Sequence, residues 1–262
     1  MIGVFDSGIG GLTVVKTLQK KFPKANFLYL GDVARMPYGN KSAATVVEYS
    51  REITRYLVAS GAKLIVIACN TASAFAADAL REEFSMPIVD VIAPAVREAR
   101  RIGGKGKQKN KKIAVLGTRG TIASGAYQKG LPGDTLALAC PIFVPLVEEN
   151  YAGTKEGKAV VAHVLRPLPK KNIGTVILGC THYPLLRSEI AAAMPHAKLV
   201  DSSAVASDVA AFIKLNPDIT KGDRSKLEVV VTDRTEHFEK MAGKILGKNI
   251  KFKVIAPEEL NK

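Results

Sequence analysis

An α/β fold with parallel sheets is what this sequence predicts, on three observations. Apolar runs of four to six residues rich in Val, Ile and Leu alternate with longer helix-like stretches, the pattern of strands buried on both faces. Several of these runs echo one another across the chain. A length of 262 residues gives one large or two small domains enough core to fold without metal or disulfide staples.

Taken in order, the strand candidates are Ile2 to Phe5, Phe27 to Leu30, Leu64 to Ala68, Ile88 to Val91, Ile113 to Leu116, Val176 to Leu178, Lys198 to Val200, Glu228 to Val231 and Phe252 to Ile255. Helices fill most gaps between them. The clearest run from Ser42 to Ser60, with Asn40 or Ser42 as the cap, and from Asn70 to Phe84, opened by Asn70 or Thr71. The segment from Gly103 to Lys112 has no apolar residue and reads as a loop at a domain boundary.

Across that loop IGVFDSG at Ile2 resembles IAVLGTRG at Ile113, and LIVIACNT at Leu64 resembles TVILGCTH at Thr175. Both 118 − 7 and 180 − 69 give 111, so Ser7 pairs with Thr118 and Cys69 with Cys180 at one offset. Duplicated half-domains explain the match. Chance likeness between two α/β halves is the competing reading, and the paired cysteines weaken it.

Lys plus Arg number 38 against 24 Asp plus Glu, a formal charge of +14. Much of it sits in short runs such as Lys20-Lys21, Lys111-Lys112 and Lys170-Lys171, typical of solvated faces. With no Trp, 6% aromatics and no recognisable nucleic-acid module, a nucleic acid is not the expected main partner. Three cysteines form no paired framework and point to a reducing compartment. The start lacks a signal-peptide pattern, and no run of eighteen apolar residues appears, so the expected location is the cytoplasm, away from membranes.

In open parallel sheets ligands bind beyond the carboxyl ends of strands. Asp6-Ser7-Gly8, Gly31-Asp32, Cys69-Asn70-Thr71 and Cys180-Thr181-His182 all fall there. DSGIGG lacks the full phosphate-loop signatures; a tight turn explains its glycines but not its acid. For the two cysteines a redox dithiol, a metal site and an acid/base pair compete. No CxxC spacing exists, and His182 alone supplies a nearby further ligand. The acid/base option has its own logic, because inverting a stereocentre needs one group to remove a proton and another to deliver one from the opposite face. Cys140, in an apolar stretch without an echo, reads as an inert core residue.

Taken together, FDSGIGG, GDVARMPYG, ACNTAS, LGTRGTIASGAY, FVPLVEEN and GCTHYPLL, in this order over nearly the whole chain, resemble the glutamate racemases, cofactor-independent enzymes that interconvert L- and D-glutamate, usually to supply peptidoglycan synthesis. Sister racemases for aspartate or a hydantoin share the twin cysteines; PYG and GCTHYP favour glutamate. The resemblance implies that Cys69 and Cys180 are the catalytic thiols, the first acting on D-glutamate and the second on L-glutamate. It implies that Asp6 and His182 assist their proton transfers and that Glu148 supports the histidine. Substrate contacts implied are Ser7, Pro37, Tyr38, Gly39, Asn70, Thr71, Thr118, Thr121 and Thr181, with Asp32 in a supporting role. No arginine clamp is expected, nor pyridoxal phosphate, whose lysine is missing from the strand-end motifs, nor a metal.

Singly, each residue has a blander reading: Asp6 and Thr71 as helix caps, Tyr38 as a packing ring, His182 as a core histidine, Glu148 as a surface acid. Their joint occurrence in family order outweighs those readings. His163 and His196 stand outside every motif. The family fold implies two α/β lobes with the active site between them, 1–96 plus 207–262 and 97–206, and leaves a homodimer open.

Overall fold

The computed structural model describes residues 1–104, 106, 111–168, 171–220, 226–247 and 250–261. Residues 105 and 107–110 of the expected lysine-rich loop, and Lys170 of the Lys170-Lys171 pair, lie outside the described residues.

Among those residues the chain forms two sheets in which every strand pairing is parallel. The strands are β1 (Ile2–Asp6), β2 (Phe27–Gly31), β3 (Leu64–Ile67), β4 (Ile88–Asp90), β5 (Lys112–Gly117), β6 (Leu136–Ala139), β7 (Ile173–Gly179), β8 (Lys198–Asp201), β9 (Leu227–Val231) and β10 (Phe252–Val254). One sheet runs β10-β9-β2-β1-β3-β4 and the other β6-β5-β7-β8. Each expected strand is found; β6 is additional. The helices between them are α1 (Leu12–Lys21), α2 (Ala43–Ala59), α3 (Asn70–Glu83), α4 (Ile92–Gly103), α5 (Arg119–Ala123), α6 (Ala126–Lys129), α7 (Phe143–Glu148), α8 (Lys155–Leu165), α9 (Arg187–Ala193), α10 (Ala206–Leu215) and α11 (Glu236–Leu246).

The central strands are buried throughout, as parallel strands covered by helices on both faces must be. Helix α2 starts where Ser42 Oγ accepts the Thr45 N–H at 3.2 Å, satisfying an otherwise unpaired amide. Helix α3 begins at Asn70, but its cap is Cys69, whose Sγ accepts the Ala72 N–H at 3.5 Å. A chemically reactive side chain thus also holds a helix end.

The strand orders explain the echo. Sheet order β2-β1-β3-β4 maps onto β6-β5-β7-β8, and the 111-position offset carries Ile2 onto Ile113, Cys69 onto Cys180 and Asp90 onto Asp201. Asp90 and Asp201 repeat one device. Asp90 Oδ1 accepts the Ile92 and Ala93 N–H groups at 2.7 and 3.0 Å and pairs with Arg81; Asp201 Oδ1 accepts the Ser203 N–H at 2.8 Å and pairs with Arg187. Replacing Asp90 with alanine strands two amides at the start of α4 and is expected to cost about 1–3 kcal/mol. Urea unfolding would read this as a lower midpoint at unchanged slope.

Candidate active site

A cavity of about 210 Å³ opens where the carboxyl ends of β1 and β3 in one sheet meet the ends of β5 and β7 in the other. Ser7, Pro37, Tyr38, Gly39, Asn70, Thr71, Thr118, Thr181, Cys69, Cys180, His182 and Glu148 all line it. Asp6 and Thr121 stand behind this wall, each fully buried. His163 and His196 are exposed elsewhere, and Cys140 lies buried, its carbonyl accepting the Tyr183 hydroxyl at 2.8 Å.

Local sequence places each group. Because β1, β3, β5 and β7 end abruptly in small polar residues, their following turns present side chains and amides into one space. Cys69 is the cap of α3, and Cys180 holds the matching place after β7. On α7, Val144 and Pro145 sit four and three residues before Glu148, so helical spacing puts all three on the face that meets the cavity.

Hydrogen bonds also link the strand-end turns of the two sheets. Thr71 Oγ1 lies 3.0 Å from Thr118 Oγ1 and 3.1 Å from Thr121 Oγ1. Elsewhere in the wall, Asp6 Oδ1 accepts the Thr181 hydroxyl at 3.2 Å, while Thr13 Oγ1 donates to the Thr181 carbonyl at 3.1 Å. Asn70 is held by the Tyr127 hydroxyl at 2.6 Å and donates to Ser202 at 3.1 Å. These contacts fix the turn that carries Cys69 against the second sheet's helices.

The two thiols have different surroundings. Cys69 Sγ is 3.7 Å from Ser7 Oγ. Burial, then the negative charge of Asp6, pushes its pKa up to about 12 despite opposing hydrogen bonds from Ala72 and Ser7. It therefore holds its proton at neutral pH. Asp6 is itself raised by burial, against the charge of His182 and the N–H groups of Gly8 and Gly11. Cys180 Sγ lies 3.9 Å from His182 Nδ1, and His182 Nε2 lies 3.0 Å from Glu148 Oε1. Burial alone would lower the His182 pKa, but hydrogen bonds to Cys180 and Glu148 and their charge outweigh it and carry it to about 10. One thiol is a protonated acid; the other faces an imidazolium.

Tyr38 is positioned from behind. Its hydroxyl donates to Asp32, which also accepts from Arg35 Nε at 2.8 Å and from Thr232 Oγ1 at 2.9 Å. Gly39 closes against the second sheet, where an added Cβ would come 2.7 Å from Thr118 Cβ. Asp32 thus supports the loop without reaching the cavity.

Gly8, named with the strand-end residues, is in the wall, whereas sequence reasoning missed Met36, Asn40, Arg119, Pro141, Val144 and Pro145. Arg119 lies at the exposed edge of this wall. It sits inside the motif GTRGT, between two residues already singled out, so its position was available. Among the described residues no cluster of three or more His, Cys, Asp or Glu could hold a metal, and no helix is long and apolar enough to cross a membrane.

Residues 12–210 match the Asp/Glu/Hydantoin racemase family. The chain belongs to that family of enzymes. It is 44% identical over 257 residues to the glutamate racemase of Aquifex aeolicus (strain VF5), covering 97% of this chain and 96% of the relative. A crystal structure of the glutamate racemase from Thermus thermophilus in complex with β-chloro-D-alanine superposes with a TM-score of 0.89 at 40% identity, over 98% of this chain and 97% of that one. The glutamate racemase from Francisella tularensis subsp. tularensis SCHU S4 in complex with D-glutamate gives 0.89 at 32% identity, with 98% of each chain covered.

Proposed function

We propose that this chain interconverts L- and D-glutamate by having one thiol remove the Cα proton while the other delivers its own to the opposite face, without a cofactor, and that it works in the cytoplasm to supply D-glutamate for peptidoglycan synthesis. The observation that carries the chemistry is the pair Cys69 and Cys180, at equivalent ends of two duplicated sheets and lining one cavity. The substrate rests on the relatives, and the metabolic role on the resemblance alone.

In the direction from L-glutamate, Cys180 acts as the thiolate beside the His182 imidazolium and removes the Cα proton. Cys69, which holds its proton, delivers it to the opposite face. The carboxylate takes up negative charge as the proton leaves. Neutral polar groups already fixed around the cavity, from Asn70, Thr71 and Thr118, suit that charge because they are held in place before the step. From D-glutamate the roles exchange, with Cys69 as base, Asp6 behind it, and Cys180 as acid. The lobes in this reading are 1–96 plus 207–262 and 97–206, each supplying one thiol; membership of the two sheets supports the division.

Incubating the protein in D₂O with glutamate, aspartate or a hydantoin, with nothing else added, tests the reading. Deuterium should enter Cα of glutamate, with inversion. Exchange confined to another substrate, or none at all, would overturn it.

The fit between lobes gives a second test. A Cβ on Gly10 would lie 2.6 Å from His182 Nδ1 and closer still to Thr181 Oγ1, so the Gly10→Ala protein must displace the group that faces Cys180. A small misplacement of catalytic groups can cost about 100-fold; partial relaxation here leaves an expected loss of about tenfold in kcat/KM. Steady-state kinetics beside a melting curve would separate this from unfolding.

A further inference from the structure

We propose that Arg119 is a specificity residue that draws a carboxylate of the substrate to the mouth of the cavity. The inference deepens the glutamate reading and rests on it. Arg119 lines both the cavity and the shallower groove outside it, formed with Gly39, Asn40, Lys41, Phe75 and Gly120. It therefore stands on the threshold between them.

Its surroundings leave the guanidinium available. Arg35, Arg81, Arg97 and Arg187 are each engaged in ion pairs, whereas the Arg119 side chain has no hydrogen bond or ion pair among the described residues. Its backbone is nonetheless fixed. Thr118 caps α5 by accepting the Thr121 N–H at 3.2 Å, and Gly120 packs so closely that a Cβ would lie 3.1 Å from the Gly39 carbonyl. Inside, the cation His182 is committed to Glu148 and Cys180. A molecule with two carboxylates and one ammonium thus meets an uncommitted positive charge first at Arg119, with Lys41 farther out on the same groove.

An exposed charge acts through solvent, where ions screen it over about 8 Å at physiological salt. That gives the residue a signature that a purely structural role lacks. In the Arg119→Gln protein KM for glutamate should rise about two- to fivefold at low salt, the scale of an exposed ion pair. The difference should shrink as salt is added, kcat should stay within about twofold and the melting temperature should hold. Arg119→Lys keeps the charge and should recover most of the loss.

Steady-state kinetics of the unaltered protein, Arg119→Gln and Arg119→Lys, at low and high salt, decide the matter. An unchanged KM in Arg119→Gln at low salt, a rise that salt does not diminish, or a fall in kcat alone would each overturn the proposal. If the unaltered protein turns over glutamate while Arg119→Gln matches it, this inference alone falls. If the unaltered protein does not act on glutamate, the substrate reading falls and takes this one with it.

Discussion

Replacing either Cys69 or Cys180 with serine is expected to abolish the interconversion of L- and D-glutamate in both directions, lowering kcat/KM by about 10³-fold or more, within the range that positioned acid and base groups contribute. The loss must be symmetric in kcat/KM, because enantiomers have equal free energies and their interconversion has an equilibrium constant of one. The asymmetry of the two thiols shows elsewhere. With Cys69→Ser, Cys180 can still pull the proton from L-glutamate and return it to the same face, so any residual deuterium exchange in D₂O should occur with retention and only in the L enantiomer. With Cys180→Ser the residual exchange should belong to D-glutamate. Chiral separation of the recovered amino acid, followed by mass spectrometry, reads both. Near-normal racemisation by either variant, or residual exchange in the opposite enantiomer, would sink the two-thiol mechanism. Cys69 needs one control, because its sulfur also caps α3; serine is a good helix cap, so the melting temperature should change little.

Much of the fold could be read in the sequence because parallel strands buried on both faces leave continuous Val, Ile and Leu runs, as in Leu64–Ile67 and Ile173–Gly179. Strand β6 escaped for the same reason. Its sequence LALA carries no β-branched residue, and it pairs along one side of the smaller sheet with its residues only part buried or exposed. The cavity wall was legible at the strand ends, where Cys69 and Cys180 break apolar runs. Pro141 and the residues from α7 other than Glu148 were not, since Pro141, Val144 and Pro145 look like core until tertiary packing turns that segment toward the cavity. Nor could local pattern say that Asp6 would bond Thr181, 175 positions away, rather than Cys69 next to it in space. Such pairings depend on how two sheets face each other, and the 111-position echo is the one trace of that relation in the chain.

His182→Gln is expected to cost about 10²-fold or more in kcat/KM, and the pH dependence of Glu148→Gln shows why. His182 has a pKa raised from 6.5 to about 10 against burial, through its contacts with Cys180 and Glu148. The imidazolium is therefore present throughout the neutral range, and the unaltered protein should lose activity on the alkaline side only as pH approaches about 10. Glutamine at 148 can still hydrogen-bond the ring but carries no charge, so it removes part of what holds the proton there. The alkaline limb should then move to lower pH, while the acid limb stays. Stability follows the same sign. A folded pKa above the unfolded one adds stability that is full below about 6.5 and is lost as pH rises through about 10. Glu148→Gln should accordingly destabilise the protein at pH 7 and lose that difference at pH 11. A pH–rate profile and chemical unfolding at the two pH values test both halves. If the alkaline limb stays in place or moves upward, Glu148 does not hold the proton on His182, and the imidazolium beside Cys180 needs another source.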